Sequence, residues 1–86
     1  MKDVDLSGMS KRLKAIRQMM GIKSQSEVAR LIGAEFHQYN NWERGVAVMP
    51  VPFAIEICEV SGVDLDYIYL GKVSSLTFDH MKYLKL

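Results

Sequence analysis

Residues 25–45 read QSEVARLIGAEFHQYNNWERG, and this stretch decides the fold. Its first part carries apolar and small side chains at helical spacing, at positions Val28, Ala29 and Ile32. Its second part places Tyr39 and Trp42 three residues apart, and therefore on one face of a helix. The sequence predicts two short helices that meet at a sharp angle near Gly33, the second exposing hydrogen-bonding side chains.

Start and stop signals flank these two helices. Ser24 and Glu27 fit a capping box, in which Ser24 accepts from the Glu27 N–H and the Glu27 side chain reaches back. Gly33 follows the first helix of the pair, where a left-handed residue commonly ends a helix, and Ala34 is then expected as a buried turn residue. Gly45 is a second stop signal.

Another helix is predicted before this pair. It begins at a serine cap, Ser7 or Ser10, and ends at about Met20, just before Gly21. Its apolar residues recur at steps of three and four, at Met9, Leu13, Ile16 and Met20.

Three helices are predicted after the pair. The fourth helix of the chain has Pro52 in its first turn and ends at about Ser61. Asp64 caps a fifth helix from Leu65 to about Leu70. The inward residues of the fourth helix are predicted to be Phe53, Ala54, Ile57, Cys58 and Val60. Those of the fifth are predicted to be Leu65, Ile68 and Tyr69.

A sixth helix is predicted from about Thr77 to Tyr83. An extended strand is the alternative, because apolar residues of this stretch also alternate, at Leu76 and Phe78 and again at Leu84 and Leu86.

Composition bounds the class of protein. The chain has 86 residues, enough for one small domain, and 49% of them are apolar. A single cysteine, Cys58, excludes an internal disulfide framework and is expected as a small core residue in a reducing compartment. No apolar run approaches a membrane span and no secretory leader is visible, so we expect a cytoplasmic protein.

The net charge of +1 does not by itself indicate nucleic-acid binding, because many DNA-binding domains are clearly basic. The distribution of charge is more informative, since seven of the eleven basic residues precede Gly33. They are Lys2, Lys11, Arg12, Lys14, Arg17, Lys23 and Arg30. This predicts one basic face, although a solvated helix surface would give the same pattern.

Patterns typical of enzymes and metal sites are missing from the sequence. His37 and His80 are far apart and lack a companion pair of cysteines. No glycine-rich phosphate loop and no Ser/His/Asp set is recognisable. We therefore expect no catalytic activity, metal, cofactor, small-molecule substrate or membrane partner.

The central stretch resembles the helix-turn-helix of the Cro and phage-repressor-like family, also called the xenobiotic-response-element family. The matching residues, at fixed offsets, are Gln25, Glu27, Val28, Ala29, Ile32, Gly33, Tyr39, Trp42, Glu43, Arg44 and Gly45. The resemblance covers roughly residues 10–71 and implies an all-α, five-helix lambda-repressor-like DNA-binding domain at residues 1–71, with the helix-turn-helix at 25–44. Residues 72–86 are then a C-terminal extension whose short sixth helix dimerises or packs on the domain.

By this resemblance the chain is a sequence-specific DNA-binding transcriptional regulator, a repressor of the phage or prophage type. It would read the major groove of double-stranded DNA with helix 36–44. A homodimer would meet the two half-sites of a palindromic operator, about 34 Å apart.

Base reading requires side chains that donate and accept hydrogen bonds from fixed positions, and amide side chains are suited to it. The alternative is a polar helix face turned to solvent, which usually carries more Lys and Glu. The expected base-reading residues are Gln25, by the resemblance, and Phe36, His37, Gln38, Asn40 and Asn41. Phosphate contacts are expected from Ser26, Arg44 and Lys23.

The resemblance also implies a structural ion pair between Arg17 and Glu43. Judged by charge alone, Arg17 would be an ordinary surface residue.

Two features depart from the family pattern. Glu35 stands where Ser or Thr is usual, and it either accepts from cytosine or weakens DNA binding. Residues 46–52 are apolar or proline where Lys or Arg is usual. Both departures favour an alternative function, a protein-interaction module on the same fold, antitoxin-like or an anti-repressor partner, with weak or no DNA binding. Dimer contacts are expected at Met49, Phe78, Met81 and Leu84, unless these residues pack on the domain's own core.

Overall fold

The computed structural model describes residues 5–73 and 76–84, and within these two ranges it contains helices and no strand. The six helices are α1 (Leu6–Met19), α2 (Gln25–Ile32), α3 (Phe36–Glu43), α4 (Val51–Ser61), α5 (Leu65–Leu70) and α6 (Phe78–Tyr83). The predicted all-α class is confirmed. None of the described helices is both long enough and apolar enough to cross a membrane.

One hydrophobic core joins the helices. Each of the first five helices contributes at least two buried side chains, and the segments around them add Met49, Val63, Leu76 and Leu84. The largest side chains that are almost wholly buried are Tyr39, Met9, Leu13, Ile16, Met49, Ile57 and Ile68. Because Tyr39 projects from α3 into this core, the opposite side of α3 is turned away from it.

The first helix begins earlier than the sequence predicts. Asp5 is the residue before the first turn, and the predicted caps Ser7 and Ser10 both lie inside α1. Half-buried Leu6 packs against the core one turn ahead of buried Met9, so apolar contact extends the helix toward the N-terminus. At the other end α1 stops at Met19, one residue before the predicted Met20.

The connection between α2 and α3 follows the predicted turn chemistry. Ser24 Oγ accepts from the Glu27 N–H at 3.3 Å, but among the described contacts the Glu27 side chain makes no return bond, so half of the capping box forms. Gly33 has φ +78°, in the left-handed region as predicted, and the Ala34 N–H donates to Ala29 O at 2.8 Å. Ala34 is half-buried rather than buried.

The fourth helix confirms its predicted bounds, with one error on its inward face. Pro52 lies in the first turn, and Ala54 and Ile57 are buried. Val60, predicted to point inward, is 40% exposed. Ser61, in the same last turn, is half-buried, and its Oγ donates to Ile57 O at 2.6 Å.

The fifth helix has the predicted bounds and the predicted cap. Asp64 Oδ1 accepts from the Tyr67 N–H at 2.8 Å. Ile68 is buried, whereas Leu65 and Tyr69 are only half-buried. The buried tyrosine of this helix is Tyr67, which the sequence pattern did not single out.

The described part of the C-terminal extension is helical and packs on the domain. Thr77 Oγ1 caps α6 by accepting from the His80 N–H at 3.1 Å, so the strand alternative is wrong for this segment. His80 Nε2 lies 3.2 Å from Ser61 O at the end of α4, and Leu84 lines a groove with Ala15 and Met19 of α1. Leu86 lies outside the described residues.

Three of the four predicted dimer residues pack on the chain's own core. Met49 and Leu84 are buried in the chain's own core, at 0% and 8% exposure, so neither is available to a second copy. Met81 is half-buried and packs on the same core. Phe78 alone of the four predicted residues is well exposed, at 80%.

Candidate functional site

The outer side of α3 is open to solvent. Phe36, the first residue of the helix, is 53% exposed, and His37 is also exposed. Gln38 and Asn41 are half-buried. The described residues of the C-terminal extension contact α1 and the end of α4, not this face. A short helix therefore offers an aromatic ring, an imidazole and amide groups on one accessible side.

The inner side of α3 is fixed by aromatic packing. The rings of Tyr39 and Trp42 meet edge to face, with centroids 6.1 Å apart and planes at 77°. Trp42 also contacts Phe53 of α4, with ring centroids 5.2 Å apart. Aromatic pairs at these separations attract each other beyond the gain from burial alone. Tyr39 and Trp42, predicted to share one face of a helix, do so, and that face is buried in the core.

The structure contains the Arg17–Glu43 ion pair that the resemblance implies. Arg17 Nε donates to Glu43 Oε2 at 2.8 Å, and Nη2 donates to Oε1 at 3.2 Å, a two-pronged contact. The side chains are only 9% and 3% exposed, so the surface alternative for Arg17 is wrong. The hydrogen bond to Glu43 raises the pKa of Arg17 above its ordinary value, although burial acts in the opposite direction.

Arg17 also holds the segment between α1 and α2. Its Nη1 donates to the backbone oxygens of Ile22 and Lys23, at 3.1 and 2.8 Å. One guanidinium thus connects α1, the 22–24 link and the end of α3. Because the link leads directly into α2, this contact helps to set the position of α2 relative to α3.

Two of the predicted base-reading residues are engaged with this ion pair. Gln25 Nε2 donates to Glu43 Oε1 at 3.1 Å, and Asn40 Nδ2 donates to Gln25 Oε1 at 2.7 Å. Sequence spacing gives no sign of this connection, because its partners lie 18 and 15 positions apart in the chain. The only available signal was the resemblance, which puts Gln25 beside a reading residue.

A third predicted reader, Gln38, has a local structural role. Its Oε1 accepts from the Glu35 N–H at 2.9 Å, which satisfies a backbone donor at the start of α3. Glu35 itself is exposed. Glu35 is the residue before the first turn of α3, so it lies at the N-terminal end of that helix.

The predicted phosphate-contact residues are all exposed. Lys23 and Ser26 flank Gln25 at the start of α2, and Arg44 follows the last residue of α3. Ser26 Oγ is 2.7 Å from Ser24 Oγ. Since Gln25 bonds to Asn40, the start of α2 and the outer side of α3 belong to one surface.

The predicted basic face is smaller than its residue count suggests. Arg17 is buried, and Arg12 Nε donates to Ile68 O in α5 at 3.0 Å. The residues that remain exposed are Lys11, Lys14, Lys23 and Arg30. Lys2 lies outside the described residues.

The segment after α3 exposes apolar side chains. Val46, Val48 and Val51 are 57%, 44% and 50% exposed, and Ile55 on the next turn of α4 is 43% exposed. Between them Met49 is buried, and its backbone oxygen accepts from the Tyr69 hydroxyl at 2.6 Å. The buried methionine holds the segment in place while the valines face outward.

Metal binding and thiol chemistry find little support in the described parts of the chain. These parts contain no group of three His, Cys, Asp or Glu side chains placed to hold a metal ion. Cys58 is a free, half-buried thiol in a shallow groove with Ile55, Val63 and Leu65. Burial raises the pKa of this thiol, and Asp64 adds to the effect, so its thiolate form is disfavoured.

The buried hydroxyl of Tyr39 gives a testable pH dependence. Tyr39 Oη makes no well-formed hydrogen bond among the residues described, although the Arg17–Glu43 pair is close enough to affect it. Burial raises its pKa above the ordinary value near 10, and the Glu43 carboxylate adds to this effect. Above pH 10 the unfolded chain releases a proton that the folded chain keeps, so stability falls as pH rises.

We expect Tyr39→Phe to change the free energy of unfolding at pH 7 by less than about 1 kcal/mol, because the buried hydroxyl that it removes makes no well-formed hydrogen bond. Above pH 10 its free energy of unfolding should fall less steeply, by up to about 1.4 kcal/mol per pH unit. Urea titrations at pH 7 and at pH 10–11 measure both. Tyr83→Phe, at a tyrosine that is 65% exposed, is the control and should follow the wild type. Parallel curves for Tyr39→Phe and the wild type above pH 10 would contradict this account.

Comparisons with known proteins give no match: no family model, no curated protein and no solved structure matches this chain. Its function is therefore inferred from the residues and contacts described above.

Proposed function

We propose that this chain is a sequence-specific DNA-binding transcriptional regulator that places α3 in the major groove of double-stranded DNA. One observation carries the proposal. The outer side of α3 is exposed and rich in amide and imidazole groups, while its inner side is anchored by Tyr39 and Trp42. The major groove admits an α-helix, and there each base pair presents its own pattern of donors and acceptors.

The fold that we propose is the lambda-repressor-like arrangement, built by α1 to α5. Three residues, 33–35, connect α2 to α3, as in a helix-turn-helix. In such an arrangement the first helix of the motif lies across the DNA backbone. The exposed Lys23 and Ser26 at the start of α2 suit phosphate contacts, as does Arg44 after α3.

The regulator that we propose is a cytoplasmic repressor of the phage or prophage type, acting as a homodimer on a palindromic operator. A single α3 covers only a few base pairs, so two copies about 34 Å apart would double the reading surface. The exposed Phe78 of α6 is a candidate contact between copies. No catalytic step or cofactor forms part of the proposal.

Substitutions on the outer side of α3 test the proposal once a preferred site has been selected from random oligonucleotides. We expect Gln38→Ala and Asn41→Ala to weaken binding to that site by roughly tenfold each, with little change on random duplex, because base contacts discriminate sequence. Arg44→Ala should weaken binding to both and reduce the salt slope by about one, as a phosphate contact does.

Fluorescence anisotropy with the selected and random duplexes measures these changes. Lys82→Ala, which removes an exposed charge from α6, is the matched control for Arg44→Ala. If Gln38→Ala and Asn41→Ala weaken binding equally on every sequence, these residues do not read bases.

A protein-interaction module is the second candidate, favoured by the exposed apolar surface of Val46, Val48, Val51 and Ile55. Exposed apolar residues grouped along one segment are typical of sites that bind other proteins. A salt titration with random duplex distinguishes the candidates. Binding that falls steeply with salt supports DNA as the partner, and no binding at low salt supports a protein partner.

A further inference from the structure

We infer that the buried Glu43 carboxylate fixes the hydrogen-bond direction of the amides on the reading surface, so that Asn40 presents its oxygen to the DNA. This inference rests on the proposed function and names a feature of its substrate. The bases that this oxygen can bind are adenine and cytosine, which carry an exocyclic amino group in the major groove. Guanine and thymine present only acceptors there.

The inference starts from a row of four side chains, Arg17, Glu43, Gln25 and Asn40, called here the polar row. It runs from the core to the surface. Arg17 and Glu43 are buried, whereas Gln25 and Asn40 are half-buried. The contacts from Gln25 to Glu43 and from Asn40 to Gln25 are 3.1 and 2.7 Å long. Each member thus touches the next.

The Glu43 carboxylate determines which group donates and which accepts in each hydrogen bond of the polar row. An ionised carboxylate only accepts hydrogen bonds, so Gln25 must turn its NH₂ group toward Glu43. The Gln25 oxygen then faces Asn40 and requires a donor there. Asn40 supplies one N–H of its NH₂ group, which leaves Oδ1 and the second N–H for a base. Adenine, with an amino group beside the N7 acceptor, can bind both of these groups, whereas guanine and thymine can bind only the N–H.

The reverse arrangement is strongly disfavoured. If Gln25 were flipped, its oxygen would lie about 3.1 Å from Glu43 Oε1, and two acceptors would face each other. The charge-assisted bond from Gln25 to the carboxylate would also be lost. At 3% exposure the Glu43 side chain has little water to replace that bond.

Arg17 fixes the orientation of the Glu43 carboxylate. Its two bonds to Glu43 leave the carboxylate little freedom to rotate, and its bonds to Ile22 O and Lys23 O hold the guanidinium itself. Arg17 and Glu43 are therefore positioning residues for base recognition. They act through Gln25 and Asn40 and touch no base themselves.

Gln38 and Asn41 offer an internal comparison. Gln38 Oε1 is bound to the Glu35 N–H, and no described contact links Gln38 or Asn41 to the polar row. Base preferences read by these two residues should therefore be independent of Glu43. If the polar row orients Asn40, substitution of Glu43 should change the base preference only at the position that faces Asn40.

Selection of bound sites with four variants tests the inference. Asn40→Ala identifies the base position that Asn40 faces, because the preference there is lost. The wild type should favour adenine or cytosine at that position by roughly tenfold over guanine and thymine. Glu43→Gln, whose amide both donates and accepts, should reduce this preference to about twofold or less, while preferences elsewhere in the site persist.

Two further variants control this result. Glu56→Gln removes the same charge from an exposed position on α4 and should leave every preference unchanged. Gln25→Met breaks the polar row and leaves the two Arg17–Glu43 contacts in place, and it should abolish the same preference as Glu43→Gln. It keeps the test available if Glu43→Gln does not fold.

The free protein gives a readout that needs no DNA. By NMR, the side-chain amide protons of Gln25 and Asn40 should exchange with solvent more slowly than those of Asn41, and Gln25→Met should abolish the difference at Asn40. Equal exchange rates in the wild type would overturn the inference.

The DNA results separate the inference from the proposed function. Sequence-specific binding with guanine or thymine preferred opposite Asn40, or with a preference unaffected by both Glu43→Gln and Gln25→Met, overturns the inference and leaves the proposed function intact. A complete lack of DNA binding contradicts the proposed function, and with it the reading role of Asn40.

Discussion

We expect Arg17→Met to lower the free energy of unfolding by about 3–5 kcal/mol, because it leaves the Glu43 carboxylate buried without its charged partner. The substitution also removes the donors to Ile22 O and Lys23 O, and so releases the link before α2. Arg17→Lys should recover only part of the loss, since an ammonium group does not reproduce the two-pronged contact.

Chemical denaturation followed by circular dichroism measures the effect, which should appear as a lower denaturant midpoint with an unchanged m-value. Lys14→Met removes an exposed charge from the same helix and should change stability by less than about 0.5 kcal/mol. The double variant Arg17→Met with Glu43→Leu should regain the part of the stability that the unpaired charge costs, but not the part lost with the donors to Ile22 O and Lys23 O. If Arg17→Met costs no more than Lys14→Met, the buried pair does not stabilise the fold.

The second large effect is expected for Trp42→Ala, at about 3–5 kcal/mol. Trp42 is 4% exposed and lies between Tyr39 and Phe53, so its removal leaves a cavity under α3 and ends two aromatic contacts. In a domain of this size 1 kcal/mol corresponds to roughly 4–8 °C in melting temperature. The variant should therefore melt at least 10 °C below the wild type, or fail to fold.

Phe78→Ala is the matched control for Trp42→Ala, because Phe78 is an aromatic residue that is 80% exposed. Its melting temperature should lie within a few degrees of the wild type. Thermal melts recorded by circular dichroism at one protein concentration compare the two. A similar, small effect of both substitutions would mean that the aromatic contacts under α3 contribute little.

Local signals made most of the helices predictable from the sequence. Gly33 and Asp64 act on backbone groups within a few residues and have the predicted roles. Thr77 caps the sixth helix, which was predicted to begin at about this residue. The errors arose where packing overrides such signals. Leu6 extends α1 beyond the serine caps, and Val60 lies beside the inward stripe of α4, not on it.

The candidate site was less predictable than the fold. The list of polar residues on α3 follows from helical spacing, but their hydrogen-bond partners do not. Gln25 meets Asn40 and Glu43, and Arg12 meets Ile68, only because helices distant in the sequence pack together. Spacing along a chain contains no information about such pairs, and the Arg17–Glu43 pair was expected only through the family resemblance.

The position of Trp42 has a practical consequence. It is the single tryptophan of the chain, sealed beneath α3 and next to Tyr39. The fluorescence of Trp42 therefore reports directly on the packing of α3 against the core, without any attached dye. A ligand that binds the outer side of α3 without disturbing the core should leave the emission wavelength unchanged, whereas unfolding should shift it to the red.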